Sequence, residues 1–219
     1  MRAPAKRLKI PRPIKRVTAT ERLNFKNVNL RYSELLGINA PSASASTSYR
    51  FRANSGYDPN KTGTGHQPMG WTEYTSLYDR YVINGAKITV KTMWQSASSG
   101  GPLWIALGLQ SSAAAWSTIQ NARENGANVG VLAPYTCPMT SLDLVSTYSA
   151  KKQYGLSSEM LRASDKISAL IGASPVNIED FQILFEASNV TPSSNLTVLV
   201  EIDYNVTFFD VKRNMPEDS

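Results

Sequence analysis

The stretch "LTVLVEIDYNVTFFD", residues 196–210, constrains the fold more than any other part of this chain. Leu196, Val198, Val200, Ile202, Tyr204, Val206 and Phe208 fall on one side of a period of two, and Glu201, Asp203, Asn205 and Thr207 on the other. Successive side chains of a strand point to opposite faces, so the pattern predicts a strand with one apolar and one wet face. At ~3.3 Å per residue it is roughly 40 Å long, enough to cross a whole sandwich.

The same period recurs upstream. In "NVNLRYS" (27–33) Val28, Leu30 and Tyr32 alternate with polar residues, and in "SYRFRAN" (48–54) Tyr49, Phe51 and Ala53 alternate with Arg50 and Arg52. Both read as strands with one wet face. "AKITVK" (86–91) sets Ile88 and Val90 against Lys87, Thr89 and Lys91, "LWIALGL" (103–109) is a nearly continuous buried run, and "FQILFEA" (181–187) puts Phe181, Ile183 and Phe185 together. Residues 142–150 and 166–171 complete a count of eight. Helices are predicted in "GWTEYTSLYDRY", where Trp71, Tyr74, Leu77, Tyr78 and Tyr81 recur at helical spacing as core anchors, and in "AAAWSTIQNAREN", which stops at Gly126. Eight strands with turn-rich links favour an all-β fold. The expected form is a single eight-stranded jelly-roll sandwich of two four-stranded antiparallel sheets, with short helices in its loops.

Charge divides the chain into two parts. Residues 1–26 hold nine Lys or Arg against one acid, so this arm carries +8 and the remaining residues, 27–219, carry −2. Pro4, Pro11 and Pro13 block a continuous helix there, and the arm lacks apolar periodicity, so it is expected to be disordered alone. Arg2, Lys6, Arg7, Lys9, Arg12, Lys15, Arg16 and Arg22 are the candidate nucleic-acid-binding residues. Such cations neutralise phosphates and release counterions without reading sequence. A nuclear-localisation signal or a solubilising tail is compatible with the same composition. No secretory signal or membrane span is expected, because Leu8, Ile10 and Ile14 are separated by Lys, Arg and Pro. Cys137 is the sole cysteine and implies no oxidising compartment, which makes the Asn-x-Thr triplets at Asn60, Asn189, Asn195 and Asn205 chance matches.

The stretch "FRANSGYDPNKTGTGHQPMG" (51–70) contains the only histidine. Its glycines match neither the dinucleotide fingerprint, which needs Gly where Pro68 stands, nor the P-loop, which needs Gly-Lys-[Ser/Thr]. His66 with Cys137 is the one available Cys-His dyad, and His66 the one base for a Ser-His-Asp triad, yet neither has a local signature. One His and one Cys do not build a closed zinc site. The expectation is therefore no enzyme activity, no catalytic or metal-ligating residue and no cofactor, with a sandwich hydrolase using His66 as a remaining alternative. The acidic pair Glu179–Asp180 reads as a turn or helix start on a solvated face.

"NLRYSE", residues 51–90, "YSAKKQYG", "LIGASP" and "IDYNVTFFDV" together resemble the capsid proteins of small circular single-stranded DNA viruses, the circovirus-like, Rep-encoding group. Asp58-Pro59, Thr62-Gly63, Gly65-His66-Gln67-Pro68 and Tyr78 to Tyr81 carry the resemblance in order. It implies a viral coat protein: one jelly roll with a basic arm, assembled as a homo-oligomer of most simply 60 copies (T=1), packaging a single-stranded DNA genome. It also implies a virion location, assembly in the host nucleus, and contacts with a nuclear import receptor and a cell-surface receptor. Strands B to I would be 27–33, 48–54, 81–94, 103–109, 142–150, 166–171, 181–187 and 196–209, with no family motif placed in 111–140. Residues 51–70 become the C–D loop, with Tyr57, Asp58, Pro59, Gly63, Gly65, His66, Pro68 and Trp71 as candidate subunit-interface residues; Tyr57, His66 and Trp71 would pack it. The Ser-rich B–C (37–46), D–E (95–102) and H–I (188–195) loops would cluster at a five-fold axis. Strand order B-I-D-G would set Glu201 and Asp203 between Arg31 and Lys87 and Lys91 as a cross-strand ion ladder that holds register. The alternative reading is a non-viral nucleic-acid-binding β-sandwich acting as a monomer or small oligomer.

Overall fold

A computed structural model describes residues 25–41, 45–95, 102–111, 113–133, 141–187 and 195–212. Nine strands and four short helices follow in the order β1 (Phe25–Asn39), β2 (Ser46–Arg52), α1 (Trp71–Thr75), β3 (Tyr78–Trp94), β4 (Leu103–Ser111), α2 (Ile119–Glu124), β5 (Asn128–Leu132), β6 (Ser141–Ser149), α3 (Ala150–Tyr154), α4 (Ser158–Ala163), β7 (Ala169–Leu170), β8 (Glu179–Ala187) and β9 (Asn195–Val211). One sheet runs β1-β9-β3-β6, with β7 also on β3, and the other runs β2-β8-β4-β5. Every pairing is antiparallel. The molecule is a jelly-roll sandwich with sheet orders B-I-D-G and C-H-E-F.

The neighbour order matches expectation, but two strands change identity. Residues 142–150, expected to be F, pair with β3 through Lys87↔Thr147 and Lys91↔Asp143, so β6 is G. F is β5, inside the segment where no motif was placed, and it pairs with β4. The expected G at 166–171 shrinks to two residues, Ala169 and Leu170, at the end of the same β3 edge. Ser168 N–H donates to the Ser164 carbonyl at 2.9 Å, and this turn takes up the residues before them.

β9 behaves as its periodicity predicts. All seven of its even-numbered apolar residues from Leu196 to Phe208 are fully buried, where they meet Phe51, Phe181, Ile183 and Phe185 of the opposite sheet. The β1–β9 register is unbroken from Phe25↔Phe209 to Asn39↔Asn195. Phe25 and Lys26, assigned to the arm by charge, are therefore already strand residues. The helix expected over 70–81 is only one turn and a half, because Tyr78 and Tyr81 belong to β3 and Leu77 is exposed.

The outer faces of the two sheets differ. On the first, Arg31 meets Asp203 and Lys91 meets Glu201, while Lys87 lies opposite Asp203 with no ion pair among the described residues. Most of the predicted ladder is present. On the second, residues 113–127 lie across the sheet, with Trp116, Ile119 and Ala122 packed on Ala106 and Leu184. Arg50 and Arg52 were read as facing water; both are largely buried.

Loops sort to two ends. The C–D (53–77), E–F and G–H (150–178) links share the end where β1 begins. The roots of B–C, D–E and H–I share the other, as the 2.8 Å bond from Gln95 N–H to the Asn195 carbonyl shows. Residues 42–44, 96–101 and 188–194 lie outside the described residues, and the expected five-fold cluster lies there with them.

Candidate subunit interface

β1 and β2 are the edge strands on one side of the sandwich, and an edge presents unpaired backbone groups. The C–D loop runs across both. On the β2 side, Arg52 N–H donates to the Pro59 carbonyl at 2.7 Å and Lys61 N–H to the Arg50 carbonyl at 3.1 Å, so Asn60 bridges Phe51 like a strand residue. On the β1 side, Met69 N–H donates to the Arg31 carbonyl at 3.2 Å, and His66 Nε2 lies 3.0 Å from the Ser33 carbonyl oxygen. The loop is thus fastened to both sheets.

Side chains reinforce the backbone ties. Asp58 pairs with Arg52 at 2.9 Å, and Arg52 also donates to Ser174 of the G–H link at 2.8 Å. Asn60 Nδ2 donates to both Glu34 oxygens at 3.1 and 3.0 Å, while its Oδ1 accepts from Thr62 N–H and Oγ1. Tyr32 also donates to Glu34, and burial first, then this carboxylate, raises its phenol well above the ordinary range. Lys61 reaches Asp180 at 3.0 Å. Asp180 is fully buried, and Arg50 Nε approaches the same oxygen, Oδ2, at 3.6 Å.

The sequence-predicted residues divide by role. Trp71 is buried edge-on against Tyr81 and Phe208, at 4.8 and 5.2 Å between ring centres. Pro59 and Pro68 are buried, and Gly63 takes a left-handed φ of 74° in the turn closed by its N–H to the Asn60 carbonyl. Gly65 touches β1 so closely that a Cβ there would lie 2.7 Å from Tyr32 Oη, and no other residue fits without displacement. His66 lies on the Tyr32 ring at 4.7 Å. Tyr57, expected to pack the loop, is instead 39% exposed.

The His66 ring lies against backbone. Its Nδ1 is 2.8 Å from the Gln67 carbonyl oxygen and its Nε2 3.0 Å from the Ser33 carbonyl oxygen, so in a neutral ring whichever nitrogen carries the proton donates to backbone. Among the described residues no Ser, Cys or Asp side chain is hydrogen-bonded to it. Asn60, one of the sequon asparagines, is buried with its amide committed to Glu34. Cys137 and all eight candidate nucleic-acid-binding residues of the arm lie outside the described residues.

Sequence reading missed the anchors. Glu34 is 26 residues from Asn60, and Asp180 is 119 from Lys61, so no local spacing announces either contact. It also missed Met69, which the loop holds outward at 87% exposure. An exposed apolar residue amid turn formers was the available signal.

Fold and loop together define the double-sheet jelly-roll class, whose members include viral capsid domains, lectins and cupins. Comparison with known proteins finds no matching family model and no matching curated sequence. Among solved structures the chain is similar to the capsid protein of BFDV solved as a 60-mer, at 14% identity and a TM-score of 0.46, covering 89% of this chain and 98% of that one. It is also similar to turnip yellow mosaic virus, at 8% identity and a TM-score of 0.47 over 98% of this chain and 95% of that one. Desmodium yellow mottle tymovirus matches at 12% identity and a TM-score of 0.41 over 99% and 100%.

Proposed function

We propose that this chain is the coat protein of a small icosahedral shell, most simply of 60 copies, that packages circular single-stranded DNA through its basic N-terminal arm. The observation that carries the reading is a set of apolar side chains held outward on braced loops at one end of the sandwich. Tyr57 and Met69 project from the C–D loop at 39% and 87% exposure, and Leu170 and Val176 from the G–H link at 61% and 75%. Apolar groups on rigid backbone lose little entropy when covered, which suits subunit contact.

Charge supports the second half of the reading. On the outer face of the first sheet Arg31 and Lys91 pair with carboxylates, whereas the residues before β1, 1–24, hold eight Lys or Arg against one acid, an excess of +7. Sixty arms bring about 420 positive charges to one lumen, and their mutual repulsion opposes an empty shell until phosphates neutralise them. The choice of DNA and of a circular genome rests on the sequence resemblance.

Light-scattering mass of the purified chain, at low and high salt and after nuclease, tests both halves. The expected species is a particle near 60 subunits whose persistence depends on salt or nucleic acid. Deleting residues 2–16 is expected to leave a folded sandwich that no longer binds nucleic acid in a salt-dependent way. A persistent 24 kDa monomer that binds nucleic acid would replace this reading with the non-assembling binding module.

A further inference from the structure

Glu179 and Asp180 are adjacent acids at the start of β8, and their side chains go to opposite faces of the sheet. Both are buried, contrary to the solvated face expected from sequence. Asp180 lies between Lys61 and Arg50. Glu179, 8% exposed, has no such partner: its Oε1 accepts only long bonds, from Tyr154 Oη at 3.3 Å and Gln153 Nε2 at 3.4 Å. Among the described residues no Lys or Arg forms an ion pair with it. Burial pushes its carboxyl above the ordinary range, the two donors offset part of that rise, and Asp180 adds to it.

The neighbourhood shows the same deficit. Burial and Glu179 push the Tyr154 phenol up to about 12. Tyr148 is raised as well, by burial first and then by Tyr154 and Glu179. A buried carboxylate without a cation is costly, because the charge has left water with nothing to offset it. Yet Glu179 is not sealed in. It lines an open groove of about 590 Å³ with Ser111 and Ala113, where β4 leaves for the E–F link, and Val176, Asn177 and Ile178, where the G–H link ends. The groove opens at the same end of the sandwich as the C–D loop.

We propose that this groove receives a lysine or arginine side chain from a neighbouring copy of the chain, whose cation neutralises Glu179. The inference rests on the self-assembly reading above and names one contact within it. Ala113 and Val176 supply apolar wall for the aliphatic stem, and Glu179 supplies the counter-charge in the lining. A free divalent cation fits poorly, because it requires several oxygen ligands and the groove offers one carboxylate.

The test is Glu179→Gln in the full chain, read by monomer stability, which the proposal expects to increase, and by assembly, which it expects to weaken. Below the assembly concentration at pH 7, the variant is expected to melt a few degrees higher than the parent, because an uncompensated charge is gone. The sign follows from the raised carboxyl. The folded chain keeps the Glu179 proton to higher pH than the unfolded chain, so the parent loses stability as pH rises through that window and the variant does not. The concentration at which particles form is expected to rise at least about tenfold, since the neighbour's cation loses its partner. A purely structural role would lower the melting temperature while assembly weakens. A variant that assembles at the parent's concentration, or melts below the parent, overturns the groove contact alone. A parent that forms no particle overturns the assembly reading and the contact with it.

Discussion

Arg31 and Arg50 occupy equivalent places in the sequence pattern, each an arginine alternating with apolar residues on an edge strand, and they meet opposite fates. The Arg31 side chain is 63% exposed and pairs with Asp203 in solvent. The Arg50 side chain is 14% exposed, faces the fully buried Asp180, and donates to the carbonyls of Ser111, at 3.2 Å, and Ala114. The difference is the E–F link. It crosses the β2-β8-β4-β5 sheet, and among the described residues nothing comparable crosses the other. Outward side chains of β2 and β8 become its fastenings: Gln182 exchanges two hydrogen bonds with the Trp116 backbone at 3.0 and 2.9 Å, Glu186 accepts the Ile119 N–H at 2.8 Å, and Ser46 donates to the Ser117 carbonyl at 2.8 Å. Alternation tells which residues enter the core. It does not tell whether the other face meets water.

The largest effect expected from breaking this contrast is at Asp180. Asp180→Ala removes a buried anion from between Arg50 and Lys61, and losing one partner of a buried ion pair typically costs 3–5 kcal/mol, here about 4. Because Lys61 belongs to the C–D loop, the loop's β2-side tie should loosen too. Urea unfolding measures the first consequence, and proteolysis between residues 53 and 70 the second. Trp116→Ala should cost about 3 kcal/mol by the same urea measurement, since it empties the small core between the E–F link and the sheet. A loss below about 1 kcal/mol would mean the link rests on the sheet without stabilising it.

A glycine pair sharpens the comparison at lower cost. A Cβ on Gly108 would lie 2.6 Å from Trp116 Cη2 and 3.2 Å from the Ala127 backbone, whereas a Cβ on Gly37, in the open sheet, meets nothing within 4 Å. Gly108→Ala is expected to destabilise by about 1–2 kcal/mol through overpacking. Gly37→Ala should be neutral or slightly stabilising, by up to about 0.5 kcal/mol, because it restricts the unfolded chain. Equal thermal shifts in the two variants would deny that one face is covered and the other bare.

The same contrast explains what could be read without coordinates. β9, β1 and β8 were legible because a strand buried on one face prints its period directly into the residues, whereas the B-I-D-G order came with the family resemblance and complementary charges on β1, β9 and β3 only favoured it. β5 was not legible. Its five residues, "NVGVL", are too short to show alternation, and with F unplaced the next strand took its letter. Residues 166–171 have strand composition, yet a turn consumes most of them. Within the C–D loop, turn formers marked an irregular backbone and Trp71 marked the core. The ties that brace the loop join Asn60 to Glu34 and Lys61 to Asp180 across sequence distances that carry no local signal.

The smallest expected effect is the most discriminating. Arg31 donates to Asp203 twice, from Nε at 2.7 Å and from a terminal nitrogen at 3.0 Å, so in geometry this pair is better than Arg50 with Asp180. Geometry alone would rank Asp203→Ala as the more damaging change. Solvent reverses the ranking, because water and salt screen an exposed pair and the unfolded chain loses little by leaving it. Register does not depend on the pair either. A one-residue slip of β1 against β9 would expose Leu30, Tyr32 and Ile38 and bury their polar neighbours, a penalty spread over fifteen paired residues. Asp203→Ala should therefore shift the melting temperature by only a degree or two at low salt and by nothing measurable at 1 M salt, while Asp180→Ala keeps its full cost at both. A large, salt-resistant loss at Asp203 would mean that the β1-β9-β3-β6 face is shielded from water after all, and the contrast between the sheets would have to be redrawn around whatever shields it.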